Sequence, residues 1–124
     1  AYVRGVHRSG VMTVAKHYAF NEQESERFSN NVVVDERTAW ELYYPPFEAA
    51  VEAGVGAVMC AYNKVNGSYA CGSSGILQRD LKEKMGFQGF VLSDWGATLG
   101  CLTIGGDKMV QHGLDMEMPS GILL

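Results

Sequence analysis

Val91-Leu92-Ser93-Asp94-Trp95 is an apolar run that ends in a carboxylate and an indole, with Gly96 behind them to release the backbone. A strand of a parallel sheet, covered on both faces, reads as a continuous apolar run rather than an alternating one. A carboxylate at the C-terminal end of such a strand stands where barrel folds gather their chemistry. Asp is also a favoured helix N-cap, so this segment alone admits a structural reading of Asp94 as well. Recurrence separates the two. Val11-Met12-Thr13-Val14-Ala15 runs into Lys16-His17, and Val55-Gly56-Ala57-Val58-Met59-Cys60-Ala61 runs into Tyr62-Asn63. A weaker run, Leu114-Asp115-Met116-Glu117-Met118, is closed by Pro119 and Ser120.

Helical patterns separate these runs. Residues 35–53 place Ala39, Leu42, Tyr43, Phe47, Ala50 and Val51 close to a 3.6-residue period. Asp35 or Glu36 suits the start of this helix and Gly54 its C-terminal cap, while Pro45-Pro46 predicts a kink or two helices. Residues 74–85 gather Ile76, Leu77, Leu81 and Met85 on one face, with Gly86 as the stop, and residues 103–113 form a weaker third pattern. Strands alternating with helices predict an α/β fold with a parallel sheet, here part of a (β/α)8 TIM-type barrel. A whole barrel takes about 200 residues or more, and the chain has 124. The expectation is a fragment, residues 1–124, of one catalytic domain, its early strands and any downstream domain lying elsewhere. The start fits this: Ala1 to His7 reads like the end of a helix already under way, and no signal-peptide pattern is present.

Composition narrows the function classes. At 47% hydrophobic and 19% charged residues the chain suits an ordered globular segment. A net charge of −4 offers no basic footprint for nucleic acid and no polybasic patch for a membrane. No stretch approaches the roughly 18 apolar residues of a membrane span. Cys60, Cys71 and Cys101 lack the close pairing of a zinc site. They admit one disulfide with a free thiol, or three buried thiols. Asn66-Gly67-Ser68 is an N-glycosylation sequon, usable if the protein is secreted and the loop exposed.

If the strand ends converge on one rim, Lys16, His17, Tyr62, Asp94 and Trp95 meet in a single cup. That set suits a sugar. Lysine and histidine donate to hydroxyls, a carboxylate accepts or attacks, and an indole offers an apolar face to the C–H side of a pyranose. Each residue alone has a plainer reading. Lys16 could be a solvated surface residue, His17 a structural donor, and Tyr62, Trp95 and Met59 core filler. The convergence of three polar-aromatic strand ends is what points to a site.

These residues carry a family resemblance. Lys16-His17-Tyr18, with Asn21-Glu22-Gln23-Glu24 and Arg27, is similar to a segment after a barrel strand in glycoside hydrolase family 3. Glu41-Leu42-Tyr43 with Pro46-Phe47 resembles the following helix, and Val58-Met59-Cys60-Ala61-Tyr62-Asn63 with Asn66-Gly67 the next strand and loop. Gly86-Phe87 and Gly89 to Ala97 resemble the nucleophile segment, and Gly113-Leu114-Asp115-Met116-Glu117-Met118-Pro119 the last strand of the barrel. The ordered motifs cover nearly the whole chain; residues 98–108 match least.

The resemblance implies a retaining β-glucosidase acting on the non-reducing end of a β-glucoside or short β-gluco-oligosaccharide, with no metal or cofactor. Asp94 would be the nucleophile. Lys16 and His17 would bind sugar hydroxyls, Tyr62 would sit beside the nucleophile, and Met59 and Trp95 would line the same subsite. Retention needs a second carboxyl group roughly 5 Å from the first. The family usually draws that acid/base from a downstream domain, and Glu22 and Glu117 are better read as structural. The fragment alone is expected to be inactive. Ala19-Phe20-Asn21-Glu22 stands where the N-acetylglucosaminide branch carries a Pro-Gly-His-Gly-Asp type loop, which favours the glucoside or xyloside branch. A secreted, glycosylated protein is expected, with Asn66 as the glycan site. Two other classes remain: a non-catalytic sugar-binding homologue, and a Schiff-base barrel lyase using Lys16.

Overall fold

The computed structural model describes all 124 residues. In chain order the elements are α1 (Tyr2–His7), β1 (Val14–Tyr18), β2 (Asn31–Val32), α2 (Glu36–Thr38), α3 (Pro45–Glu52), β3 (Ala57–Cys60), β4 (Lys64–Val65), β5 (Ser68–Tyr69), β6 (Phe90–Ser93) and α4 (Gly106–Gln111). Wide π-type helices cover Ala39–Tyr43 and Gly75–Lys84, and 3₁₀ turns cover Ala70–Gly72 and Ala97–Cys101.

The main sheet is parallel, in the order β1-β3-β6. A parallel bridge from Leu92 to Met116 extends the same order by one position. Strand order therefore follows chain order without reversal, unlike a doubly wound sheet, whose order turns back at a switch point. β3 and β6 approach closely at their starts. A Cβ on Gly89 would stand 2.2 Å from the Gly56 carbonyl oxygen, so only glycine fits there.

β1 lies three residues later than the apolar run predicts. Val11, Met12 and Val14 are exposed, and the strand's one buried side chain is Tyr18. Lys16 and His17 are thus within the strand rather than beyond it. The Lys16–His17 and Tyr18–Ala19 peptide bonds are cis, and the register against β3 shifts between Ala15 and Tyr18. The fourth run forms only the single bridge at Met116. There the Asp115 carboxylate accepts from the Val91 N–H across 2.7 Å, so a side chain takes the place of a ladder carbonyl.

The break at Pro45-Pro46 is real: the helix over Ala39–Tyr43 ends at Tyr44, and α3 begins with proline at its first turn, where a missing N–H costs nothing. Asp35 caps α2, its carboxylate accepting from the Thr38 N–H at 2.9 Å and the Thr38 hydroxyl at 2.7 Å. The π-type winding rotates the buried face. Leu42, predicted inside, is 69% exposed, while Tyr44 is buried. Tyr44 stacks on Tyr18 at 5.6 Å between ring centres and donates to Asp80 at 3.0 Å. Asp80 is buried at 2% exposure and also takes both Arg79 donors, at 2.7 and 2.8 Å. A buried carboxylate needs such compensation. Ile76, Leu77 and Leu81 bury as predicted and join Val58, Val91, Met109 and Leu114 in the core.

A smaller sheet pairs β2 with β4 in parallel and β4 with β5 antiparallel. Its turn is Asn66-Gly67, both at positive φ (48° and 91°), as a two-residue hairpin requires. The Asn66 side chain bonds Val34 in both directions, accepting from its N–H at 3.0 Å and donating to its carbonyl at 2.8 Å. Cys60 and Cys71 form a disulfide, and Cys101 is a buried free thiol. Burial pushes the Cys101 thiol up to about 11.

Candidate active site

Three strand ends meet at Asp94. β6 delivers its carboxylate, half-buried, immediately after Ser93. β1 contributes His17, whose Nε2 lies 3.1 Å from Asp94 Oδ2. The segment after β3 contributes Tyr62, whose hydroxyl donates to the Trp95 carbonyl at 3.0 Å and stands near the Asp94 carboxylate. Burial pushes the Tyr62 phenol up to about 12, and the bond to Asp94 and its charge push the same way. Tyr62 is therefore a neutral donor at any working pH.

The second carboxylate oxygen, Oδ1, accepts the Trp95 N–H at 2.7 Å. The Asp94 side chain thus has the Trp95 N–H on one oxygen and the His17 imidazole 3.1 Å from the other. Gly96 follows in the left-handed region, φ 72°, which lets the chain turn sharply away from the carboxylate. Trp95 stands 65% exposed at this rim.

The structure joins His17, Tyr62, Asp94 and Trp95 by direct bonds. Lys16 is exposed on β1 without a bond to Asp94, and Met59 is half-buried on β3, paired with Leu92 in register. Asn66 is exposed at the tip of the β4–β5 hairpin. A cleft of about 490 Å³ lined by Trp40, Tyr44, Asn66, Arg79, Asp80 and His112 contains none of the rim residues and is a separate feature. No three His, Cys, Asp or Glu side chains gather as they would around a metal ion, and no helix is long and apolar enough to cross a membrane.

Two further residues pack on Tyr62: Arg27, which belongs to the motif that carries the resemblance but had no role assigned there, and Phe28, which the sequence did not single out. Arg27 places its guanidinium 4.5 Å above the Tyr62 ring and pairs with Glu24 at 2.9 Å. Phe28 packs on the same ring at 4.4 Å and stays 57% exposed. Both sit on the loop after β1, whose polar composition carries no periodic signal. The clues were the loop's place, at the end of a strand of a predicted barrel, and Arg27's membership of the family motif.

A carboxylate flanked by an imidazole, a phenol and an indole, with a guanidinium over the phenol ring, can accept hydroxyl donors or attack an electrophilic carbon. The family model described as "Glycosyl hydrolase family 3 N terminal domain" matches residues 1–121, and the chain belongs to this family. It is 46% identical over 117 residues to the probable β-glucosidase L of Aspergillus terreus, covering 94% of this chain and 15% of that protein. The crystal structure of DesR, a β-glucosidase from Streptomyces venezuelae in complex with D-glucose, superposes with a TM-score of 0.85 at 46% identity, over 94% of this chain and 14% of that one. The β-D-glucoside glucohydrolase of Trichoderma reesei gives a TM-score of 0.88 at 44% identity, over 94% and 16% of the two chains. The chain thus spans about one seventh of the length of these relatives.

Proposed function

We propose that this chain carries the nucleophile side of the active site of a retaining β-glucosidase. The observation that carries the reading is Asp94, at the C-terminal end of β6, held by His17 at 3.1 Å and reached by the Tyr62 hydroxyl. Asp94 attacks the anomeric carbon of a terminal β-D-glucosyl residue and forms a covalent glycosyl-enzyme, which water then hydrolyses. His17 and Lys16 donate to sugar hydroxyls, Met59 lines the subsite, and Trp95 offers its exposed indole to the apolar side of the ring. The partner acid/base lies outside these residues, so the segment acts only within a longer protein.

The unreversed strand order supports a (β/α)8 barrel that these strands share with further ones. The similarity to a glucose-bound β-glucosidase supports a β-glucoside or short β-gluco-oligosaccharide as substrate. The Cys60–Cys71 disulfide supports an oxidising compartment, and hence secretion. In that setting the exposed Asn66 carries a glycan. Attachment takes one of the two amide hydrogens and leaves one for Val34. Loss of a glycosidase-sensitive mass on Asn66→Gln tests this, and an unchanged mass refutes it.

The deciding experiment is active-site labelling of the full-length protein with a 2-deoxy-2-fluoro-β-glucoside bearing a good leaving group, followed by peptide mass spectrometry. A label on Asp94 is expected. Hydrolysis of a nitrophenyl β-glucoside with no label at Asp94 overturns the assignment. Neither label nor turnover makes the protein a sugar-binding homologue.

A further inference from the structure

The turn that carries Asp94 is tied down from a distance. Ala97 donates its N–H to the Asp94 carbonyl at 3.1 Å, which opens the 3₁₀ turn Ala97–Cys101 directly on that residue. The next side chain in the turn, Thr98, is buried at 1% exposure and donates its hydroxyl to Glu117 Oε1 at 2.6 Å. The other oxygen, Glu117 Oε2, accepts the Leu123 N–H at 2.8 Å and the Leu124 N–H at 3.3 Å. A parallel tie runs through the backbone: the Met118 N–H donates to Ser93 Oγ at 2.9 Å, and Gly96 N–H to the Met118 carbonyl at 3.1 Å.

We propose that Glu117 is a positioning residue, fixing the Asp94 turn through Thr98. The proposal rests on Asp94 being the nucleophile. All three partners of Glu117 donate to it, and they arrive on both of its oxygens. A glutamine keeps the two backbone bonds on its oxygen, but its NH₂ forces the Thr98 hydroxyl to turn from donor to acceptor and replaces a short charge-assisted bond with a weaker neutral one. Burial alone would raise the Glu117 carboxyl, but the bonds from Thr98 and the backbone outweigh it and hold the group below the usual range. Glu117 itself bonds Thr98 and the Leu123–Leu124 backbone, so any effect on chemistry passes through the turn.

The test uses the full-length protein with Glu117→Gln, Thr98→Val and Thr98→Ser. The fluoroglucoside label separates binding, as Ki, from the chemical step, as the limiting inactivation rate. Misplacing a reacting group by about 1 Å costs on the order of 100-fold, and a loosened turn moves it by less. The limiting rate is expected to fall about 10-fold in Glu117→Gln and Thr98→Val, with Ki and glucose affinity within about 2-fold, and Thr98→Ser restores it. Thr98→Val removes a single hydroxyl, which keeps the test open if Glu117→Gln does not fold. An unchanged rate in a folded variant overturns the proposal. So does a rate that falls in step with Ki and is not restored by serine. A wild type that never labels at Asp94 overturns the functional reading instead.

Discussion

Tyr62→Phe removes one oxygen and leaves the ring. Phe28 keeps its packing at 4.4 Å and Arg27 its seat 4.5 Å above the ring, so the loss is confined to the hydroxyl, which bonds the Trp95 carbonyl and stands near Asp94. Under the proposed retaining mechanism the two halves of the reaction respond differently. In the first, Asp94 would give up charge as it attacks. In the second, Asp94 would be the leaving group and regain charge, and a donor to the carboxylate would lower that second barrier. A hydrogen bond to a charged group contributes about 1.5–3 kcal/mol, and about 1.4 kcal/mol is tenfold in rate. His17 still stands 3.1 Å from the carboxylate, which places the loss at the lower end. Deglycosylation should slow by about 10-fold. With a dinitrophenyl glucoside, whose first step is fast, kcat and KM should fall together while kcat/KM changes little. The trapped glycosyl-enzyme should be visible by intact mass. If kcat/KM falls as far as kcat and no intermediate accumulates, the Tyr62 hydroxyl does not act on the departing carboxylate, and the reasoning fails.

Other outcomes follow from the packing and the ionisable groups. Leu81→Ala empties a fully buried position in the core and should cost about 2–5 kcal/mol, read as a lower urea midpoint at unchanged slope; a loss under about 1 kcal/mol would mean the helix over Gly75–Lys84 is not packed as described. Glu117 has a lowered carboxyl pKa in the folded state, so its stabilisation is present above the unfolded value and is lost as pH falls through the folded one. Thermal stability should therefore drop on the acid side, and Glu117→Gln should flatten that slope; an identical slope refutes the bonding described. Under non-reducing conditions near about pH 8 the Cys101 thiol, raised to about 11 by burial, should resist iodoacetamide until the protein is unfolded, when it alone of the three cysteines is alkylated. Alkylation of Cys60 or Cys71 without reductant would rule out their disulfide.

The sheet was legible because parallel strands announce themselves as unbroken apolar runs: β3 sits inside its run, and β6 starts one residue before the run quoted for it. β1 was displaced because its informative residues are not apolar at all. Lys16, His17 and Tyr18 read as the end of a strand, and only the pairing with β3 shows them to be strand. The same holds for the helix face. A 3.6 period assigns Leu42 to the core, whereas the π-type winding delivers Tyr44, and winding is set by tertiary packing rather than by local pattern. Asn66-Gly67 did carry a hairpin signal, one masked by its second meaning as a sequon. The candidate site was legible wherever its residues close a strand: His17, Tyr62, Asp94 and Trp95. Arg27 and Phe28 come from a loop with no period, and their place beside Tyr62 is a matter of how that loop folds back.

The strand ends that meet at Asp94 are remote from one another along the chain, and nothing local holds them together. His17 reaches the carboxylate only once β1 has paired with β3, and Tyr62 only once β3 has paired with β6. Contacts between distant parts of a chain form late and set the pace of folding. If the proposed function holds, competence to trap a glucosyl group is therefore a chemical clock. A fluoroglucoside added at intervals during refolding would mark only those molecules whose sheet has already closed, and would time that closure without any spectroscopic probe.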